Sequence, residues 1–421
     1  MGRRAARGPG SSLPVVALVV VALVVAPVIV LASTSDRDVV GTPGEATTRP
    51  GVPASGTDLD EQLRDAAWAN DVERARQLVA AGADVDAQDS TQQSAYLIAT
   101  SEGYLDLLDL TLAAGADIDA KDGWNGTGLI RAAERGHHLI VGRLLRAGID
   151  KDHVNRIGYQ AVHEAVWFGA DAADELATVQ VLVAGGVELD RPSGTERLTA
   201  LQMARERGYP RLERVLDAAR RHRPFTDPDA ALLAAAASGE ADAVALALRD
   251  GARLEARDSA GRTALLLASA EDHVEAARVL VAMGADPDAR DDRQDTPWLV
   301  TGVTGSVEML ETLLPADPDL TLVNRFGGVS VIPASERGHV EYVRRVVTTG
   351  IDLDHVNRLG WTALLEAVVL GDGGVRHQEV VRILLAAGAD PSIGDREGVT
   401  ALEHAERLGH AELAAILREA G

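Results

Sequence analysis

The 421-residue chain contains no cysteine. That excludes disulfides, zinc–thiolate sites, a thiol nucleophile and a lipidated N-terminal cysteine. It leaves the compartment open, because a cysteine-free fold can live on either side of a membrane. Aromatic residues are scarce, 3% of a chain that is 46% hydrophobic. Ala, Leu and Val supply the rest, a mix that suits many short, closely packed helices better than one large core. Basic residues are outnumbered 41 to 64, for a net charge of -23. Such a chain repels nucleic acid and anionic lipid. The acidity serves solubility and is compatible with a cationic partner. No Gly-rich phosphate loop, Gly-x-Ser-x-Gly elbow or His-Glu-x-x-His string is present.

One long apolar run stands out. Residues 1–12 carry Arg3, Arg4 and Arg7 and no acid, and every residue from Leu13 to Ala32 is apolar. A basic stretch before such a run reads as a targeting or anchoring segment. Its length fits a membrane span of about 20 residues, and Val30-Leu31-Ala32 fits a signal cleavage after Ala32. Two outcomes stay open: an uncleaved anchor through residues 13–32, or a cleaved signal peptide over 1–32. Either way the arginines favour a cytoplasmic N-terminus. The remainder is then expected in the cell envelope outside the cytoplasm, anchored or secreted. Cleavage would remove three arginines and no acid, leaving -26. Residues 33–57 are small and polar with scattered Pro and Gly, the composition of a disordered linker.

Beyond the linker the sequence is periodic. Helix-stop glycines fall at Gly82, Gly115, Gly148 and Gly186, then at Gly251, Gly284, Gly350 and Gly388. Within each series the spacing is 33 or 38, except for one interval of 66 in which Asp317 stands at the glycine position. Around each stop an apolar helix ends, a left-handed residue closes it, and aspartates or asparagines build a tight turn. A capping threonine such as Thr263 then opens the next helix. Leu265, Leu266 and Ala268 follow with inward spacing, a short turn comes at about residues 271–273, and a second amphipathic helix completes the unit.

This pattern resembles the ankyrin repeat, about 33 residues forming two antiparallel helices and a protruding β-hairpin loop. The resemblance covers residues 58–222 and 228–421. It implies an all-α repeat solenoid of helix-turn-helix units with β-hairpin loops. Eleven units start near 58, 91, 124, 157, 195, 228, 259, 292, 326, 359 and 395. The family's Thr-Pro-Leu-His string is degenerate here. Thr-Ala-Leu is usual, Thr296-Pro297 is the only Thr-Pro within the repeats, and His163 is the only histidine at the fourth position.

The two halves match at an offset of 202. Glu134-Arg135-Gly136-His137 meets Glu336-Arg337-Gly338-His339, and His153-Val154-Asn155-Arg156 meets His355-Val356-Asn357-Arg358. Both halves then carry a unit five residues longer, lengthened between its helices, within 167–180 and 369–380. Terminal repeats must be modified because one repeat cannot bury its own faces. The unit near 195 has no following hairpin and the unit near 228 has no preceding one. Two arrays, 58–222 and 228–421, are therefore expected, with a break near 221–228. The second half also resembles a bacterial ankyrin subfamily marked by the string from His355 to Gly374 with His377 after it. That resemblance implies nothing beyond binding.

The residues give no sign of catalysis. His137, His339 and His410 follow glycine at the turn between helices, where the family commonly places a histidine, and His163 falls at its capping-network position. The adjacent pair His137-His138 does not make an i, i+4 metal face. Asp84, Asp86 and Asp89 exemplify acids that recur once per hairpin. Calcium needs six to eight oxygens around one point, so turn formation is the expected role. Neither a metal nor another cofactor is expected, and the chain is expected not to be an enzyme. The candidate partner-binding residues are His153, Asn155, Arg156 and Tyr159, with His355, Asn357, Arg358 and Trp361. The resemblance puts them beside the concave side, where arginine and aromatics form interface centres. The alternative is that His and Asn simply stabilise the hairpins. The functional expectation is an extracytoplasmic scaffold for protein–protein interaction, the alternative an accessory, inhibitory or protective factor for a cell-envelope enzyme.

Overall fold

A computed structural model describes residues 56–420. The apolar run 13–32, its cleavage point and nearly all of the linker 33–57 lie outside the described residues. Among the described residues no helix is long and apolar enough to cross a membrane.

Twenty-two α-helices form eleven consecutive pairs among the described residues. The first five pairs are α1 (Gly56–Trp68) with α2 (Val72–Ala80), α3 (Ala95–Glu102) with α4 (Leu105–Ala113), α5 (Gly128–Glu134) with α6 (His138–Ala147), α7 (Ala161–Trp167) with α8 (Ala173–Ala184), and α9 (Ala200–Arg207) with α10 (Pro210–Arg221). The next three are α11 (Pro228–Ser238) with α12 (Ala241–Arg249), α13 (Ala264–Ala270) with α14 (Val274–Ala282), and α15 (Pro297–Thr304) with α16 (Val307–Leu313). The last three are α17 (Val331–Glu336) with α18 (Val340–Val346), α19 (Ala363–Val369) with α20 (Val375–Ala386), and α21 (Ala401–Leu408) with α22 (Ala411–Ala420). Two hairpins carry an isolated antiparallel bridge, Lys121–Thr127 and Arg257–Thr263.

First helices stack on first helices and second helices on second helices. A matched alanine in eight of the eleven first helices, at Ala99, Ala132, Ala165, Ala204, Ala268, Ala334, Ala367 and Ala405, is fully buried and lets neighbouring units approach closely. In α15 this position is Thr301, whose hydroxyl meets the Tyr342 hydroxyl at 2.7 Å. Threonine hydroxyls at Thr263, Thr296, Thr362 and Thr400 accept from the backbone N–H three residues on, capping the first helices. The left-handed stop needs glycine at Gly148 and Gly350, with φ of 90° and 86°. Asp317 occupies the same stop at φ 55° after a 3-10 turn, Leu314–Ala316.

The acids hold the stack together. In most hairpins one side-chain oxygen accepts from the N–H groups two and four residues on: Asp89 from Thr91 and Gln93, Asp122 from Trp124 and Gly126, Asp258 from Ala260 and Arg262. A second acid reaches the following unit: Asp86 accepts from Asp117 N–H, Asp119 from Asp150, Asp288 from Asp319 and Asp354 from Asp390. Turn closure and stapling between repeats thus consume many of the carboxylates that the sequence reads as solubilising.

The succession of first helices runs α1–α3–α5–α7–α9 and restarts as α11–α13–α15–α17–α19–α21; α9 does not continue into α11 as a packed neighbour. Instead α12 packs on α8 and α14 on α6 and α8, second helix against second helix, so residues 56–420 belong to one compact unit. Every residue of α8 from Leu176 to Ala184 is buried. A Cβ on Gly142 of α6 would overlap the Ala282 carbonyl oxygen of α14. Glycine in a helix interior costs about 1 kcal/mol relative to alanine, and here it permits the backbones to cross. Polar contacts flank this seam. Arg249 Nη1 donates to the carbonyls of Val183 (3.3 Å) and Val187 (3.0 Å). Gln180 and Arg214 both donate to Asp242, at 2.7 and 2.8 Å. Asp250 pins the connecting segment through His222 (2.7 Å) and the Phe225 N–H (2.8 Å). Across the seam the layers run first helices, second helices, second helices, first helices. The first-helix faces, with their hairpins, are therefore turned away from each other.

Candidate functional site

The duplicated hairpins are built alike. Asn155 Oδ1 accepts from the N–H groups of Ile157 (3.2 Å) and Tyr159 (2.9 Å), and Asn357 Oδ1 from Leu359 (2.9 Å) and Trp361 (3.0 Å). Each asparagine donates Nδ2 to a glutamate on the following helix, Asn155 to Glu164 at 2.5 Å and Asn357 to Glu366 at 2.6 Å. His153 and His355 place Nε2 on the previous hairpin's carbonyls, Asn125 at 2.8 Å and Gly327 at 2.7 Å. The backbone N–H groups of Arg156 and Arg358 donate to Trp124 O (3.0 Å) and Phe326 O (2.9 Å), locking neighbouring tips together.

The eight sequence-predicted residues therefore separate. Asn155, Asn357 and Tyr159 are buried and offer no contact surface; the Tyr159 hydroxyl donates to Glu196. His153 and His355 are half-buried, and Trp361 is half-buried against the core. Arg156 and Arg358 are exposed at the tips. The division has a plain cause: a residue that closes a tight turn must direct its polar atoms inward at the backbone, whereas its neighbour at the tip faces solvent.

Other exposed residues were missed. Trp124 is 64% and Phe326 56% exposed, and Ile157 and Leu359 are exposed on the next hairpins. Phe168 and Leu370 stand exposed where the lengthened loops begin. Each pair is separated by the same 202 positions. The signal was available for the tip residues: Trp124, Ile157, Phe326 and Leu359 sit two places after the turn-closing residue, where Thr91, Arg293 and Glu397 occupy other hairpins.

Glu164 and Glu366 are the buried ionisable groups beneath these tips. Burial pushes each up to about 7, with Glu134 and Glu336 on the preceding helices adding to the shift. Both are closed to solvent, so their chemistry is support of the asparagine. The turn histidines are likewise spent on backbone: His137, His273 and His339 meet the carbonyls of Ser101, Ala237 and Val303 at 3.1 to 3.2 Å. Burial holds His137 and His339 below the usual imidazole range. His163 completes a capping box with Gln160 and reaches Arg191 O at 3.0 Å. His377 ties the second lengthened loop to Asp372 (2.8 Å) and to Glu336 O (2.9 Å). Among the described residues no group of three or more His, Asp or Glu side chains is arranged to hold a metal ion.

The family model described as "Ankyrin repeats (3 copies)" matches residues 96–191, 201–291, 299–395 and 334–421. The ankyrin repeat protein YahD of Escherichia coli (strain K12) is 48% identical over 60 residues, 14% of this chain and 30% of that relative's length. Among solved structures, an ankyrin repeat domain from Acinetobacter baumannii AYE is 43% identical, with 45% of this chain and 97% of that one covered and a TM-score of 0.44. The ankyrin repeat protein EF0377 is 37% identical, with 45% and 98% covered and a TM-score of 0.44.

Proposed function

This chain belongs to the ankyrin-repeat family, whose repeats mediate protein–protein interaction, and we propose that it is a scaffold that binds a protein partner through its hairpin tips, outside the cytoplasm. We take residues 58–222 and 228–421 as its two arrays. The observation that carries the reading is the duplicated tip: Trp124, Arg156 and Ile157 in one array, Phe326, Arg358 and Leu359 in the other, all exposed. Exposed aromatic and arginine side chains supply most binding energy where they become desolvated. A solvent-exposed aromatic on a hairpin contributes nothing to the core that would explain its recurrence.

The location rests on residues 1–32, whose three arginines precede an uninterrupted apolar run. A reporter-fusion topology test with N-terminal sequencing checks it. For the interaction, affinity capture from the cell envelope compares the full chain with the triple variant Phe326→Ala, Arg358→Ala, Leu359→Ala. Loss of a specific protein with the variant supports the reading; equal recovery contradicts it. The identity of that protein separates a general scaffold from a factor that protects or inhibits an envelope enzyme.

A further inference from the structure

Resting on that reading, we infer that the second array's hairpin tips take an extended acidic segment that carries bulky apolar side chains. Five successive hairpins each present an arginine adjacent to the turn-closing residue: Arg257, Arg290, Arg325, Arg358 and Arg396. They are linked from tip to tip. Arg257 Nη1 donates to the Arg290 carbonyl at 2.5 Å, Arg358 Nη1 to the Arg325 carbonyl at 2.8 Å, and Arg396 Nη2 to the Arg358 carbonyl. Arg325 is neutralised by Asp295 at 3.1 Å. The other four have no carboxylate within ion-pair distance among the described residues, although acids outnumber bases 64 to 41 in the chain. Each retains guanidinium N–H groups without an acceptor among those residues, and a guanidinium is built to receive a carboxylate.

Glu255 and Asp319 interact electrostatically with Arg257 and Arg290 from beyond ion-pair distance, and no other hairpin acid pairs with the four among the described residues. Asp258 is committed to Arg262 and two backbone N–H groups, and Asp395 to His404 and two backbone N–H groups. Asp292 and Glu397 are exposed on the second and fifth hairpins, but the third and fourth, residues 323–328 and 356–361, contain no acid. On those two tips Phe326 and Leu359 stand exposed beside the arginines, and the Arg325 guanidinium lies 4.6 Å from the Phe326 ring centroid. Cation and bulky apolar surface thus stand side by side on the third and fourth tips, between tips that offer arginine without an apolar neighbour. The complement is an extended acidic chain that sets bulky apolar groups at those two tips. The first array supplies the contrast. It has the apolar pair Trp124 and Ile157, but Gln88, Gly123 and Gly194 stand at the positions of Arg290, Arg325 and Arg396.

The test is fluorescence anisotropy on the purified full chain with four labelled probes. These are a peptide alternating Glu with Leu, the same peptide with Lys for Glu, the same with Ser for Leu, and a single-stranded oligonucleotide. The Glu–Leu peptide is expected to bind, the Lys–Leu peptide and the oligonucleotide not to, and the Glu–Ser peptide to bind about tenfold more weakly. Arg358→Glu with Arg396→Glu should weaken the Glu–Leu peptide at least about tenfold and gain the Lys–Leu peptide. Arg156→Glu should change it less than about twofold, because that array lacks the row. The gain of the reversed probe reads the site in a variant that is necessarily folded. Equal binding of both peptide charges, binding of the oligonucleotide, no binding, or indifference to the double variant would overturn the inference. So would sedimentation showing that the same arginines instead hold a second copy of the chain. If the Glu–Leu peptide fails while the tip variant still loses a captured protein, the acidic occupant is wrong and the scaffold reading stands.

Discussion

Asn357 donates its Nδ2 to Glu366 at 2.6 Å while its Oδ1 gathers two backbone N–H groups of the turn, so one buried side chain joins the hairpin tip to the helix beneath it. The pair Asn155 and Glu164 repeats the arrangement 202 positions earlier. Asn357→Ala removes the turn closure and strands a buried carboxyl. It should destabilise the protein by about 2 kcal/mol, within the range for a lost buried hydrogen-bond partner. Chemical denaturation checks this, and Arg382→Ala, exposed on α20, should change stability by less than about 0.5 kcal/mol.

The same glutamates set a pH dependence. Both are pushed up to about 7 from an ordinary 4.5 by burial, so the folded chain holds their protons more tightly than the unfolded chain between those values. Their stabilising contribution is complete below pH about 4.5 and declines as the pH rises through about 7. Glu164→Gln with Glu366→Gln keeps an acceptor for each asparagine and cannot ionise. The double variant should melt higher than the parent at pH 8 and match it more closely at pH 5. Asp395, held low first by the Val399 N–H, loses its contribution in a separate window below pH 3.8.

The seam between the two helix series gives a third expectation. A side chain at Gly142 would strike the Ala282 carbonyl. Gly142→Val should therefore separate α6 from α14 and destabilise the protein by about 1–3 kcal/mol, the usual cost of overpacking. Hydrogen exchange should quicken in α6, α8, α12 and α14, while α19 to α22 keep their protection. Unchanged exchange at the seam would contradict the back-to-back packing.

Much of this was legible in the residues. The glycine and aspartate punctuation gave the units and their helix pairs, because left-handed stops and turn closure are local demands. Pairing of helices into the seam is a long-range contact, and periodicity does not report it. The trace it left is a set of asymmetries between matched positions. Gly142 pairs with Arg344, and the fully buried α8 pairs with α20, which exposes Arg382. The site residues were harder for a different reason. His, Asn and Arg recur together in both arrays, yet only Arg156 and Arg358 face solvent fully, because the others build the turn. Recurrence alone does not distinguish a side chain that makes a hairpin from one that uses it.

The most direct test of the account places a photo-crosslinking amino acid at position 326, 359 or 382 of the full chain in living cells. Positions 326 and 359 lie on exposed hairpin tips, and 382 is exposed on helix α20, away from the tips. Tip binding predicts one protein crosslinked from both 326 and 359 and absent from 382. Crosslinks that are absent from the tips, or equal at all three positions, would contradict it.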